Sequence, residues 1–257
     1  MLDGIVARLR HRSDCSIARP FNAMTDQSID DAFRRICGLE APLSERLAAF
    51  SAAVRQFGRP FAEVYDALVD RIRSGEAGAA APKPGEPMPP FLLPDGDNRL
   101  VALGDLVKHG PAVISFNRGH WCQYCMIELT AFREALNEFG RRGAQVVSIM
   151  PETQAFISEI GHQNAFPILS DIDNGYALSL GLAIWLGDDV RRLYLENGLE
   201  LEHYQGNDEW FLPIPATFVV GEDGRVIDRH VDPDFRNRME ISDILAALAT
   251  TKVHTTQ

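Results

Sequence analysis

The 257-residue chain is short of cysteine, of positive charge and of long apolar runs. Its four cysteines are too few to staple a fold of this size with disulfides, and two of them, Cys122 and Cys125, stand three positions apart. Lys and Arg number 25 against 36 Asp and Glu, a formal net charge of -11. No basic stripe therefore offers itself to a phosphate backbone, which excludes nucleic acid as an expected partner. No stretch approaches the roughly 18 consecutive apolar residues that a membrane-crossing helix needs, so no membrane association is expected. The opening MLDGIVARLRHRSDCSIARP lacks an apolar block of signal-peptide length, and Asp3 and Asp14 argue against a transit peptide. The expected compartment is the cytoplasm, where a close cysteine pair is more often redox-active or metal-binding than a structural bridge.

What is present is a globular composition, 46% apolar, with room for one ordinary domain and a substantial appendage. The segment SGEAGAAAPKPGEPMPP (74–90) has no apolar period and reads as a Pro/Ala/Gly-rich linker over 76–90, dividing an N-terminal extension (1–75) from a larger domain (91–257). The extension reads as helical. Leu43, Leu47, Phe50, Val54 and Phe57 recur at steps of three or four, as do Phe61, Val64, Leu68 and Ile72, and Gly38, Gly58 and Gly75 stand near helix ends. About 50 residues make a marginal core alone, so these stripes are expected to pack on the larger domain or on another subunit.

Beyond the linker the pattern alternates. PAVISF (111–116) and AQVVSIM (144–150) read as strands, and Met126, Leu129, Phe132, Leu136 and Phe139 mark a helix between them. A helix follows in PETQAFISEIGHQN, then a hairpin formed by ATFVV and RVIDRHV around GEDG (221–224), then a closing helix in MEISDILAALAT. Strand, helix, strand, helix, hairpin, helix is the order of an α/β thioredoxin-like sandwich, a central mixed sheet flanked by helices.

RGHWCQYC (118–125) falls where the first strand turns into its helix. A thiol is a weak nucleophile until it ionises, and a helix N-terminus favours the thiolate through unpaired N–H groups and the helix dipole. Cys122 is expected to be the more accessible sulfur, with Cys125 about one turn on and able to close a disulfide with it. Arg118 and His120 supply nearby charge or donors. A zinc site competes with this reading, yet it wants four ligands and no second CxxC or HxxxH follows. An inert buried pair competes too, and it is the preferred reading for Cys37 and Cys15. No metal and no bound cofactor are expected.

The region from about 83 to 249 resembles the peroxiredoxin branch of the thioredoxin superfamily, the alkyl hydroperoxide reductase and thiol-specific antioxidant family. Cys125, Glu128, Ala131-Phe132, Gly143 and Val146-Val147 stand at the family's spacings from its peroxide-attacking cysteine. KPGEPMPPFLLPDGDNRLVALGDL, FPILSDIDNGYALSLGL and PATFVVGEDGRVIDRHVDPD are similar to its opening and later segments. The active-site signature departs: where the family has Pro-x-x-x-Thr-x-x-Cys, this chain has Arg118, Cys122 and Cys125, and Pro215 stands where the family has a peroxide-polarising arginine. Trp121-Cys122-x-x-Cys125 resembles instead the thioredoxin WCxxC, and Pro215 the cis-proline that faces it, a conformation costing only about 0.5–1 kcal/mol at X–Pro.

The resemblance implies a cysteine-based oxidoreductase whose redox product is the Cys122–Cys125 disulfide. Thiol-disulfide exchange with Cys122 attacking is the leading expectation. A thiol peroxidase, an antioxidant reducing hydrogen or alkyl peroxides through Cys125 with Cys122 resolving, is the alternative, and a non-catalytic binding module the third class. The implied partners are a disulfide protein or a thiol reductant of thioredoxin or glutathione type. Glu128 is a candidate proton relay, and Arg191-Arg192 a candidate substitute for the missing arginine. The segment 185–211 is rich in aromatic residues (Trp185, Tyr194, Tyr204, Trp210, Phe211), suiting a lid or a homodimer surface, with core packing the preferred reading.

Overall fold

The computed structural model describes residues 27–250 apart from Gln163. Three helices come first, α1 (Gln27–Cys37), α2 (Leu43–Phe57) and α3 (Arg59–Ser74). Gly58 separates the last two, its N–H closing back on the Val54 carbonyl at 2.7 Å, and Pro60 sits in the first turn of α3, where no helical N–H is required. Then follow the hairpin β1 (Leu92–Pro94) and β2 (Leu100–Ala102), α4 (Leu103–Val107), β3 (Ala112–Phe116), α5 (Gln123–Arg141), β4 (Gln145–Met150), α6 (Gln154–Gly161) and β5 (Ile168–Ser170). After a 3-10 turn at Ile172–Asn174 the chain forms α7 (Gly175–Ser179), β6 (Ala183–Trp185), α8 (Asp188–Glu196), α9 (Leu201–Gln205), β7 (Phe211–Pro213), β8 (Ala216–Val220), β9 (Val226–Val231) and α10 (Ile241–Ala249).

The central sheet is mixed, in the order β5-β4-β3-β8-β9, with β3–β4 and β4–β5 parallel and the β8 pairings antiparallel. Buried on both faces, β3 is apolar except at Ser115, the expected composition of a central strand. Its side chains alternate between two cores. Val113 joins one with α5 and the N-terminal helices, while Ile114 and Phe116 join the other beneath α4 and α7. This is the thioredoxin-like sandwich read from the sequence.

The apolar stripes of α1–α3 do not form a core of their own. Phe33, Phe50, Phe61 and Leu68 share one cluster with Tyr124, Met126 and Phe132 of α5. The ring of Phe50 meets that of Tyr124 edge-on, with centroids 4.9 Å apart. Burying each such side chain contributes roughly 1.5–3 kcal/mol, so the helical module is held on the larger domain by the face that carries the cysteine motif.

The 76–90 stretch packs along the β8–β9 hairpin. Gly85 N–H donates to the Val226 carbonyl at 2.8 Å, Met88 N–H to the Gly224 carbonyl at 2.9 Å, and Arg229 donates to the Pro82 carbonyl at 3.1 Å. Its Ala, Gly and Pro content here serves close packing; a Cβ on Gly78, whose φ is +83°, would collide with Val231. Among the described residues no helix is long and apolar enough to cross a membrane.

Candidate functional site

The chain leaves β3 at Phe116, runs through Asn117–Trp121 and enters α5 at Gln123, with Cys122 as the residue before the first turn. Gly119 makes that path possible: its φ is +145°, and a Cβ there would strike the indole nitrogen of Trp121 and lie 2.9 Å from a Glu152 oxygen. Cys122 N–H donates to the Gly119 carbonyl at 3.1 Å, and Met126 N–H to the Cys122 carbonyl at 3.0 Å, which starts the helix. The Cys122 sulfur thus stands at the positive end of a 19-residue helix, and Cys125 one turn inside it.

Both are free thiols. Cys122 is 5% exposed and Cys125 is fully buried. The Arg118 backbone N–H donates to Cys125 Sγ at 3.4 Å, and Arg238 Nη2 to the same sulfur at 3.5 Å. Burial works against ionisation of Cys122, but its hydrogen bond with Cys125 and the charges of Arg118 and Arg238 outweigh burial and bring the thiol down to about 6. Burial pushes Cys125 well above the usual thiol range, and the neighbouring Cys122 adds to the rise.

Two buried guanidinium groups flank the pair. Arg238 has a carboxylate, Glu128 Oε2 at 3.1 Å, and Glu128 Oε1 accepts from Thr217 Oγ1 at 3.4 Å. Burial raises the Glu128 carboxyl while Arg238, Thr217 and Ser115 pull it down, with the rise prevailing. Arg118 makes no ion pair with a carboxylate among the described residues: Nη2 donates to Tyr194 Oη at 2.7 Å, and the guanidinium lies 4.2 Å from the Phe235 ring centroid. A buried cation without a counter-ion is costly, and the Cys122 thiolate is the negative charge at hand. Tyr194 Oη is in turn 3.1 Å from Tyr65 Oη, so α3, α8 and the cysteine loop meet in one polar chain.

The sequence-read residues divide accordingly. Cys122, Cys125, Arg118 and Trp121 come together. Glu128 joins them as a fully buried partner of Arg238. His120 turns away: its Nδ1 is 2.8 Å from Glu152 Oε1, and its ring packs on Phe156 and Tyr204. Burial disfavours the charged ring, but Glu152 outweighs it and holds the His120 pKa above 6.5.

Pro215 is buried immediately before β8, and its peptide bond is trans; no described peptide is cis. The expected cis-proline is therefore corrected. Pro213 already pairs with Ala183, and Ile214 N–H bonds the Leu182 carbonyl at 2.8 Å, so the chain enters β8 extended and no reversal requires a cis bond.

The Arg191-Arg192 substitute is corrected as well: Arg191 lies over the Trp210 ring and Arg192 pairs with Asp189 at 2.6 Å, while the cations on the thiols are Arg118 and Arg238. Arg238 stands in FRNRMEIS between a strand and a helix, where no periodicity sets it apart from the neighbouring Arg236. Of the aromatic residues in 185–211, Tyr194 and Trp210 are core and Trp185 and Phe211 are exposed. Cys37 is buried as expected but is held in a disulfide, not as an inert thiol, and Cys15 lies outside the described residues. Among the described residues no group of three His, Cys, Asp or Glu side chains is placed to hold a metal.

The sequence profile of the AhpC/TSA family matches residues 84–229. Two provisionally named peroxiredoxins, from two strains of Mycobacterium tuberculosis, are each 28% identical to this chain over 146 residues, 56% of it and 82% of theirs. Among solved structures, peroxidoxin BcpB of Mycobacterium tuberculosis superimposes with a TM-score of 0.51 at 22% identity, covering 66% of this chain and 99% of its own. A cysteine-to-serine mutant of peroxiredoxin 6 from Arenicola marina superimposes at 0.52 and 16% identity, over 65% of this chain and 72% of that one. At these identities the structures share the fold with this chain.

Proposed function

The chain belongs to the AhpC/TSA family and is a cysteine-based oxidoreductase; from that premise we propose that it is a thiol peroxidase in which Cys122 attacks and Cys125 resolves. The carrying observation is the asymmetry of the pair: Cys122 is brought down to about 6 beside the otherwise uncompensated Arg118, while Cys125 behind it is held up and fully buried. A protein disulfide, the substrate first expected, would have to reach a sulfur only 5% exposed beneath α2 and α3. A peroxide has only to fit beside it.

The Cys122 thiolate attacks the terminal peroxide oxygen; the S–O bond forms, the O–O bond breaks, and RO⁻ leaves to take a proton from solvent. The Cys122 sulfenic acid then condenses with the Cys125 thiol, forming the disulfide and releasing water. An external dithiol, or two equivalents of a monothiol, restores the pair by exchange and is itself oxidised.

One observation favours a second assignment: Cys125 Sγ, at the family's position, accepts N–H donors from both Arg118 and Arg238. The experiment is rapid-mixing peroxide oxidation of each single-cysteine variant. Expected is one turnover with a sulfenic acid trapped on Cys122 in Cys125→Ser, and no reaction in Cys122→Ser. A sulfenic acid trapped on Cys125 in Cys122→Ser would reverse the roles.

A further inference from the structure

Arg118 and Arg238 both act on the redox pair, yet they are held in different ways. Arg238 is gripped by the Glu128 carboxylate, whose charge opposes its own. Arg118, 2% exposed, is held by neutral groups: its guanidinium carbon lies 4.2 Å from the Phe235 ring centroid and 5.4 Å from that of Trp121, and Nη2 donates to Tyr194 Oη at 2.7 Å. Ring contacts keep a guanidinium in place but leave it free to turn, whereas a hydrogen bond at one nitrogen stops that turn. A carboxylate in the position of the Tyr194 hydroxyl would fix Arg118 and cancel much of its field at the same time. A phenol fixes it and leaves the charge whole, provided the phenol stays neutral. Burial holds both Tyr194 and Tyr65 above the ordinary phenol value of 10.0, so both do. Tyr65 of α3 touches both supports of Arg118: its Oη lies 3.1 Å from Tyr194 Oη, and its ring meets Phe235 edge-on with centroids 5.0 Å apart. Tyr65, Tyr194, Arg118 and Cys122 line one pocket.

We propose that Tyr194 and Tyr65 are positioning residues of the cysteine site: two neutral phenols that fix the Arg118 guanidinium beside Cys122 with its charge uncancelled, Tyr65 making the N-terminal helical module part of that site. This rests on the reading of Cys122 as the attacking thiolate. Family spacing does not supply the arrangement, because Tyr65 lies outside the matched residues 84–229 and Arg118 stands where the family signature has proline. The ionisable groups around Cys122 are Arg118, Tyr65 and Tyr194 in the pocket, Tyr124, Cys125 and Glu128 on α5, and Arg238. Since the phenols are neutral, deleting a hydroxyl removes no charge, and a shift in Cys122 reports the placement of the cation.

The experiment is a pH titration of thiolate absorbance in the reduced full chain, with folding checked by near-ultraviolet circular dichroism. Tyr194→Phe keeps the ring and loses the hydroxyl; the Cys122 midpoint is expected to rise from about 6 by about one unit, a roughly tenfold loss of thiolate below pH 6. Tyr65→Phe is expected to move it the same way by less, and to add nothing in the Tyr194→Phe background, since its hydroxyl acts through Tyr194. Arg118→Met is expected to raise the midpoint itself and to abolish the effect of Tyr194→Phe, which a merely structural role for the tyrosine would not do. A midpoint unchanged or lowered in folded Tyr194→Phe overturns the proposal, as does a further rise when Tyr194→Phe is added to Arg118→Met. Where the Tyr194 or Arg118 variants do not fold, Tyr65→Phe carries the test, and an unmoved midpoint there overturns it. A sulfenic acid trapped on Cys125 in Cys122→Ser would reverse the attacking role without moving the Cys122 midpoint, so the two failures are told apart.

Discussion

Arg238 and Cys125 stand 113 positions apart in the sequence and 3.5 Å apart at the guanidinium–sulfur contact. The same guanidinium holds Glu128 at 3.1 Å, with both side chains 1% exposed, so one cation is shared between a carboxylate and the redox pair. In Arg238→Met the Glu128 carboxyl loses its counter-ion, and a cation that lowers the Cys122 pKa disappears. The expected outcome is a Cys122 thiol titrating above its value of about 6, read from thiolate absorbance. Breaking a buried pair on one side also costs about 3–5 kcal/mol of stability. Adding Glu128→Gln should return part of that stability, but not the thiolate. A full return of both would mean that Arg238 acts through packing alone.

The pH dependence of the first step follows from Cys122. Its thiol is depressed from 9.0 to about 6 in the folded protein, so the reactive fraction is half formed near pH 6 and levels off above it. The second-order rate of peroxide oxidation is expected to rise through that range and plateau by neutrality. Stability shifts in the same direction. A group whose folded pKa is lowered contributes stability that is fully present above the unfolded value, declines between 9 and 6, and is lost below about 6. Reduced wild type should therefore gain stability over Cys122→Ser as pH rises through that window, measured by denaturant titration.

A carboxylate of the larger domain caps the second helix of the module. Glu240, immediately before α10, accepts from Leu43 N–H at 3.1 Å and Ser44 N–H at 2.6 Å, covering the first free donors of α2, which Pro42 cannot cap with a side chain. Glu240→Ala is expected to cost about 1 kcal/mol, as lost N-caps do. It should also raise hydrogen exchange in α1–α3 ahead of the sheet. Exchange that rises equally throughout would mean that the module has no independent opening.

These contacts show what the sequence could and could not reveal. Local signals carried the elements: Leu43, Leu47, Phe50 and Val54 bury the α2 stripe they predict, and GEDG turns β8 into β9. Family spacing carried Cys125 and Glu128, and the likeness to WCxxC carried Cys122, to one helix start. Arg238, Tyr65 and Tyr194 were out of reach as site residues because each comes from a different element, and only tertiary packing brings them to Arg118 or Cys125. The trans Pro215 escaped for a related reason: whether the chain needs a reversal before β8 depends on the β6–β7 pairing, which has no signature of its own.

Glu152 is the remaining buried carboxylate beside the cysteine loop, and His120 is its partner. Glu152 Oε1 lies 2.8 Å from the ring Nδ1, and His120 N–H reaches the two carboxylate oxygens at 3.2 and 3.3 Å, which together fix the loop just ahead of Trp121. The raised His120 pKa means that the pair is charged below the unfolded value of 6.5 and keeps its proton some way above it. Its contribution to stability is therefore fully present below 6.5 and lost as pH rises through the folded pKa, opposite in sign to that of Cys122. The expected result by NMR titration is a His120 midpoint above 6.5 that falls in Glu152→Gln. The same variant should slow peroxide reduction less than Arg238→Met does, because His120 orients the loop and does not touch the sulfurs. A Glu152→Gln variant with an unmoved His120 midpoint would dissolve the pair as an electrostatic unit and leave the loop held by Gly119 and ring packing alone.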